Sequence, residues 1–120
     1  MAQYYHLTIY KTSFDLLVKV SQLVTHFQRD FRYTIGEKLT NGMIEFIVWI
    51  YKANSATSSK DRADIIKILL ERLQFLNILL RLSCELKNIS REKFEELTNT
   101  TQNMEKQLNG WLSHSSQNCG

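Results

Sequence analysis

Residues Ser58 to Lys87 read SSKDRADIIKILLERLQFLNILLRLSCELK, and this stretch decides the fold. Ile66, Leu69, Leu73, Leu76, Leu80 and Cys84 recur in steps of three and four, the spacing that lines one face of an α-helix. Asn77 is the polar intruder in this run. Ser58 followed three residues later by Asp61 resembles a capping box, which satisfies the orphan backbone N–H groups of a first turn. One long helix is therefore predicted, from about Ser59 to about Lys87. At 100° per residue, Ile68, Phe75, Leu79, Leu82 and Leu86 form a second apolar stripe well away from the first. A helix in a four-helix monomer buries about one stripe. A second one left bare favours association.

Three further amphipathic segments surround this helix. From about Leu7 to Gln28, Tyr10, Phe14, Leu17, Val20, Val24 and Phe27 share a stripe, with Lys11, Asp15, Lys19, Gln22 and His26 opposite. A joint at Arg29–Tyr33 leads to Thr34 and Glu37, read as a capping box. The second helix then runs to about Ala53, with Ile35, Leu39, Met43, Phe46, Ile50 and Ala53 on its stripe. Asn41-Gly42 before the β-branched run Met43–Tyr51 also fits a hairpin turn, but no second strand exists to satisfy its backbone. Gly42 on a helix instead permits a close helix crossing. Beyond its core set this helix carries Ile44, Ile47, Val48 and Tyr51, which join the second stripe as candidates for an oligomer interface. Asn54–Ser59 is a polar loop. After Asn88-Ile89, Ser90 is a good N-cap, and Ile89 with Phe94 has the spacing of a hydrophobic staple. The fourth helix places Leu97, Thr101, Met104, Leu108 and Trp111 on one stripe, and the polar tail from Ser113 is expected to fray. Four helices with short joints give an all-α, antiparallel up-down-up-down four-helix bundle, one domain with its core over about 7–112.

Composition agrees. The 120 residues are 43% hydrophobic and 22% charged, with no proline and four glycines, which excludes collagen-like, low-complexity and turn-rich all-β chains. Met43–Tyr51 is too short for a membrane span, which needs roughly 20 apolar residues. Met1–Ile9 shows no basic run followed by an apolar stretch, so no secretory signal is expected and the cytoplasm is the expected location. Cys84 and Cys119 have no metal or redox spacing, and Cys84 is expected as a buried free thiol.

No reaction chemistry is legible. Residues three before His6, His26 and His114 are Gln3, Leu23 and Trp111, so the Glu-x-x-His pattern of di-iron bundles is absent. HExxH, Cys/His zinc spacings, an EF-hand loop and GxxxxGK are absent too. Glu92, Glu95 and Glu96 suit the positive end of a helix dipole, and His26 with Asp30 reads as a solvated pair. No catalytic residue, metal or cofactor is expected. The net charge is +3, all of it in residues 1–60, which hold seven Lys/Arg against four acids. Lys11, Lys19, Arg29 and Arg32 make the first helix and its joint basic, and such a patch meets phosphates through salt-sensitive contacts. In a cyclic oligomer the patch repeats and its field adds.

Three stretches carry a resemblance across about Tyr10 to Leu112. They are Arg32-Tyr33-Thr34-Ile35-Gly36, then Leu79-Leu80-Arg81-Leu82 through Leu86-Lys87-Asn88-Ile89-Ser90, and Gly110-Trp111-Leu112. In order and spacing they resemble the accessory variability determinant (Avd) proteins of diversity-generating retroelements. These belong to a wider group of bacterial four-helix bundles that includes the 23S ribosomal RNA intervening-sequence proteins. The resemblance implies a homopentameric ring with a basic surface, binding RNA or DNA and a reverse transcriptase to support mutagenic copying. Arg32 and Arg81 match basic positions of the family. The intervening-sequence branch implies the alternative, a structural or protein-interaction module without nucleic acid.

Overall fold

The structure, a computed structural model, describes residues 7–117, with side chains through Ser115. Four long helices, α1 (Thr8–Val24), α3 (Ile35–Ser55), α4 (Ser59–Glu85) and α5 (Arg91–Gln117), are joined by short connections, and α2 (Arg29–Arg32) is a single turn inside the first joint. They pack as an antiparallel up-down-up-down bundle about 50 Å long and 20 Å wide, α3 and α5 each flanked by α1 and α4. The expected fold class holds. The core is a column of side chains fully shielded from water: Phe46 and Ile50 from α3, Ile66, Leu69 and Leu73 from α4, and Leu97, Met104 and Leu108 from α5. Each belongs to the stripe its helix carries in the sequence. Gly42 lets α3 and α4 approach: a Cβ there would lie 2.9 Å from Cδ2 of buried Leu76.

The caps divide. The Ser58 hydroxyl accepts from the Asp61 N–H at 3.1 Å, and Ser90 accepts from Lys93 at 3.0 Å, so α4 and α5 start where the serines stand. Thr34 is not such a cap. Its hydroxyl donates to the Asp30 carbonyl at 3.3 Å, because α2 delivers the chain into α3 through a bend at Thr34, where φ is −114° and ψ −88°. α4 ends at Glu85, two residues earlier than predicted, in a Schellman turn. Lys87 takes the left-handed conformation (φ 63°), and the N–H groups of Lys87 and Asn88 close onto the carbonyls of Cys84 and Ser83. α5 continues past Ser113 to Gln117, and Ser115 is buried.

The buried row of α1 also differs from the predicted stripe. Ile9, Ser13 and Leu16 face the core one position before Tyr10, Phe14 and Leu17 of the set read from the sequence, whereas Val20 and Phe27 are buried as expected. Ser13 is small and polar and hides the row from an apolar count. Phe14 is 45% exposed, its ring 5.8 Å from that of Tyr10. Side-chain bonds fix the joints. The Arg62 guanidinium donates to the Ala53 and Ala56 carbonyls at 3.0 and 3.3 Å, pinning the α3–α4 joint. The Asn88 carbonyl oxygen accepts from the Gln28 N–H at 2.7 Å, tying the joint after α1 to the joint after α4.

Candidate functional site

Both joints named last lie at one end of the bundle, because an up-down-up-down chain returns there after α1 and after α4. The outer faces of the helices that meet at this end carry the remaining candidate residues.

The apolar candidates separate by depth. Phe75 and Leu82 are exposed on α4, and Ile44, Val48 and Tyr51 are exposed on α3. Ile68 and Leu86 are half-buried. Leu79 is corrected from interface to core: it is 6% exposed, because the wide α3–α4 contact covers the flank of α4 on which it stands. Sequence reasoning missed Ile78, the most exposed aliphatic side chain among those described, at 66%. It lies opposite the core between both stripes, where a polar residue is the ordinary choice. Phe14 and Val18 of α1, also exposed, were hidden by the misplaced stripe.

Helical geometry arranges these residues. Arg72 of α4 reaches Glu45 of α3 at 3.4 Å, and the Gly42 approach faces Leu76, so Gly42 and Glu45 mark the α4 flank of α3. Ile44, Val48 and Tyr51 fall on its back and on the flank toward α1. On α1, Lys19 lies 3.9 Å from Glu96 and Thr12 bonds Gln107, which marks the α5 flank. Phe14 and Val18 lie away from that flank. The five side chains thus form one apolar surface over the α1–α3 seam. Phe75, Ile78 and Leu82, spaced i, i+3 and i+7, form a separate ridge along α4. Between the two, Tyr33, Thr34, Glu37, Lys38, Asn41, Gly42, Glu45 and Phe75 line a groove of about 430 Å³.

The five basic candidates are not gathered in one place. Lys19 is held by Asp15 at 3.5 Å and by Glu96. Arg32 is half-buried and donates to the Phe27 carbonyl at 3.3 Å, with its Nε shielded from water and without a protein partner. Lys11, Arg29 and Arg81 are exposed and form no ion pair among the described residues, Arg81 with Glu85 included. Lys11 stands near the start of α1, about 20 Å of helix from its end at Val24, beyond which Arg29 begins α2. Arg29 and Arg81 lie toward the two-joint end, where Lys87 and Arg91 join them beside a groove of about 510 Å³ lined also by Cys84, Asn88 and Ser90. Asp30, Glu85 and Glu92 stand among these cations. Lys87 and Arg91 were missed, although the topology itself brings basic residues of the two joints together. Cys84 is half-buried at the groove rather than fully buried, because α4 stops one residue after it.

The Glu96 carboxyl is more acidic than usual. The Lys93 ammonium, donating at 2.7 Å and adding its charge, holds it below the ordinary value of 4.5, with a smaller contribution from Lys19. Among the described residues no three His, Cys, Asp or Glu side chains converge as metal ligands, and no helix is long and apolar enough to cross a membrane. Tyr4, Tyr5, His6 and Cys119 lie outside the described residues.

No family model matches the sequence, and no curated protein does. The fold has a solved counterpart. It is a protein of unknown function from the S23 ribosomal protein family of Bacteroides thetaiotaomicron, which superposes with a TM-score of 0.78. The identity is 18%, and the match covers 88% of this chain and 95% of that one. The chain therefore shares the four-helix fold of that protein.

Proposed function

We propose that this protein is a non-enzymatic, self-associating accessory protein that binds nucleic acid and a reverse transcriptase, as Avd proteins do. The observation that carries the reading is the pairing of bare apolar faces on α1, α3 and α4 with unpaired cations at one end of the bundle. The apolar faces supply a reason to assemble. Assembly multiplies a charge that is weak in one copy. In a cyclic oligomer all copies present the same end at the same height, so Arg29, Arg81, Lys87 and Arg91 repeat around the axis and their fields add. The trio of motifs from Arg32 to Trp111 supports the reverse transcriptase as protein partner and a pentamer as the copy number.

A second reading, a structural or protein-interaction module without nucleic acid, is favoured by one feature: Lys19 and Arg32, two of the five basic candidates, are engaged within the bundle. Light scattering on a sizing column, followed by retention on an RNA or DNA matrix at rising salt, separates the two. The first reading expects a mass of about five times 14.1 kDa and retention that falls steeply with salt. An oligomer that ignores the matrix at low salt establishes the second. A monomer defeats the ring and leaves the bare apolar faces to a partner protein.

A further inference from the structure

We infer that copies of this chain join head to tail, the α4 ridge of one seating in the α1–α3 seam of the next; this deepens the self-association proposed above and rests on it. The two apolar surfaces differ in shape. Phe75, Ile78 and Leu82 project from the back of a single helix, whereas Phe14, Val18, Ile44, Val48 and Tyr51 spread over the line where two helices meet. A ridge fits a seam as helices ordinarily pack, ridge into groove. Two ridges meet along a narrow line, and two seams leave their centres unfilled.

Charge and area agree. On the back of α3 the exposed positions Asn41, Ile44, Val48 and Tyr51 are all uncharged, between Glu37 and Lys52. Along the ridge of α4, Phe75, Ile78 and Leu82 are uncharged as well, with Arg81 at its side and Glu71 and Glu85 beyond its ends. Loss of charge at the centre with charge at the rim is the composition of a protein interface. Each of these apolar side chains is about half exposed. At roughly 150–250 Å² per large side chain, ridge and seam together offer on the order of 700 Å² of apolar area. That is the apolar share of an interface of about 1,200 Å², the lower bound for a stable one. Ridge against ridge, or seam against seam, leaves the other surface bare in every copy. Ridge into seam covers both with one kind of contact, and repetition of that contact closes a ring.

Two single variants test this, Val48→Glu in the seam and Ile78→Glu on the ridge. Both positions are exposed in one copy, so each variant should keep its helicity by circular dichroism. Each alone should weaken association roughly 30-fold or more, as a central interface residue does, and run near 14.1 kDa. An equimolar mixture should form a one-to-one dimer, because the intact ridge of Val48→Glu still meets the intact seam of Ile78→Glu. A variant that alone remains a dimer, or a mixture that stays monomeric, overturns the head-to-tail contact. A monomeric unsubstituted protein instead overturns the self-association beneath it. Should a charged variant lose helicity, cysteines decide in a Cys84→Ser, Cys119→Ser background. Val48→Cys with Ile78→Cys should oxidise to a ladder of multimers, and neither cysteine alone should link two copies. A dimer linked by Val48→Cys alone refutes the contact.

Discussion

Adjacent residues on α4 separate folding from assembly, and truncating each gives opposite results. Leu79 is 6% exposed against the α3–α4 core, and Leu79→Ala removes three buried carbons from a site walled by two helices. Such deletions cost about 2–5 kcal/mol, a large share of the roughly 5–15 kcal/mol that holds a domain of this size. At about 4 °C per kcal/mol for this length, the melting temperature should fall by roughly 8–20 °C. Ile78 is 66% exposed, and within one copy Ile78→Ala should change stability by no more than about 0.5 kcal/mol. It should instead weaken self-association by roughly tenfold or more, since at about 25 cal/mol per Å² the lost ridge area is worth over 1 kcal/mol. The assay is urea unfolding at two protein concentrations with mass by light scattering, because a dimer's midpoint depends on concentration and a monomer's does not. If Leu79→Ala kept its unfolding midpoint while lowering the mass, the assignment of Leu79 to the core would be wrong.

The caps should be unequal: Ser90→Ala and Ser58→Ala each cost about 1 kcal/mol, whereas Thr34→Ala, which removes only a bond to Asp30, changes stability by a few tenths; equal losses in urea melts would contradict the hydrogen bonds described. Glu96 should titrate by NMR with a midpoint below 4.5, and Lys93→Met should raise it. Near pH 4 the folded chain then binds fewer protons than the unfolded one, so this pair's contribution is fully present above the unfolded value and fades as pH falls through the lowered one. Arg81→Glu should reduce the salt slope of RNA binding by about 1 or more with the fold unchanged, while Arg32→Glu should lower the melting temperature as well, because it loses the bond to Phe27. Ile78→Glu, which removes no cation, should weaken RNA binding at least tenfold if repeated patches act together; unchanged affinity would show that a single copy is sufficient.

Most of the fold could be read from the chain because each core helix is governed by its own periodicity. The stripes of α3, α4 and α5 run from Ile35 to Ala53, Ile66 to Cys84 and Leu97 to Trp111, and every position is buried except Ile35, Cys84 and Trp111 at their ends, which are half-buried. Ser58 and Ser90 mark the starts of α4 and α5 through a bond inside one turn. The readings that failed depend on neighbours. The first half of the α1 row, up to Leu17, was misplaced by one residue because Ser13 sits in the core, where only a packed partner makes a small polar residue acceptable, while Val20 and Phe27 were read correctly. Thr34 and Glu37 have the spacing of a capping box, yet the backbone bends at Thr34 and the hydroxyl faces Asp30. Leu79 and Leu82 share a stripe on a helical wheel, but α3 covers one of them and water the other.

The surfaces were harder to read for a related reason: a charge or an apolar side chain acquires meaning only from what lies beside it. Lys19 and Lys11 are eight residues apart on one helix. The first stands between Asp15 and Glu96, while the second meets no acid within ion-pair distance. Arg29 and Arg91 are sixty-two positions apart in the chain, yet the up-down-up-down path sets both at the end where Gln28 bonds Asn88. Topology, once fixed, is therefore stronger evidence for a charged patch than sequence proximity is. The same holds for α4, whose core stripe is explained by the bundle but whose ridge of Phe75, Ile78 and Leu82 gains nothing from a single folded copy. Three large apolar residues in register, exposed in their own bundle, are what the proposed contact between copies accounts for. In that proposed contact the α1–α3 seam, apolar along Phe14, Ile44 and Tyr51, is the surface that would receive them.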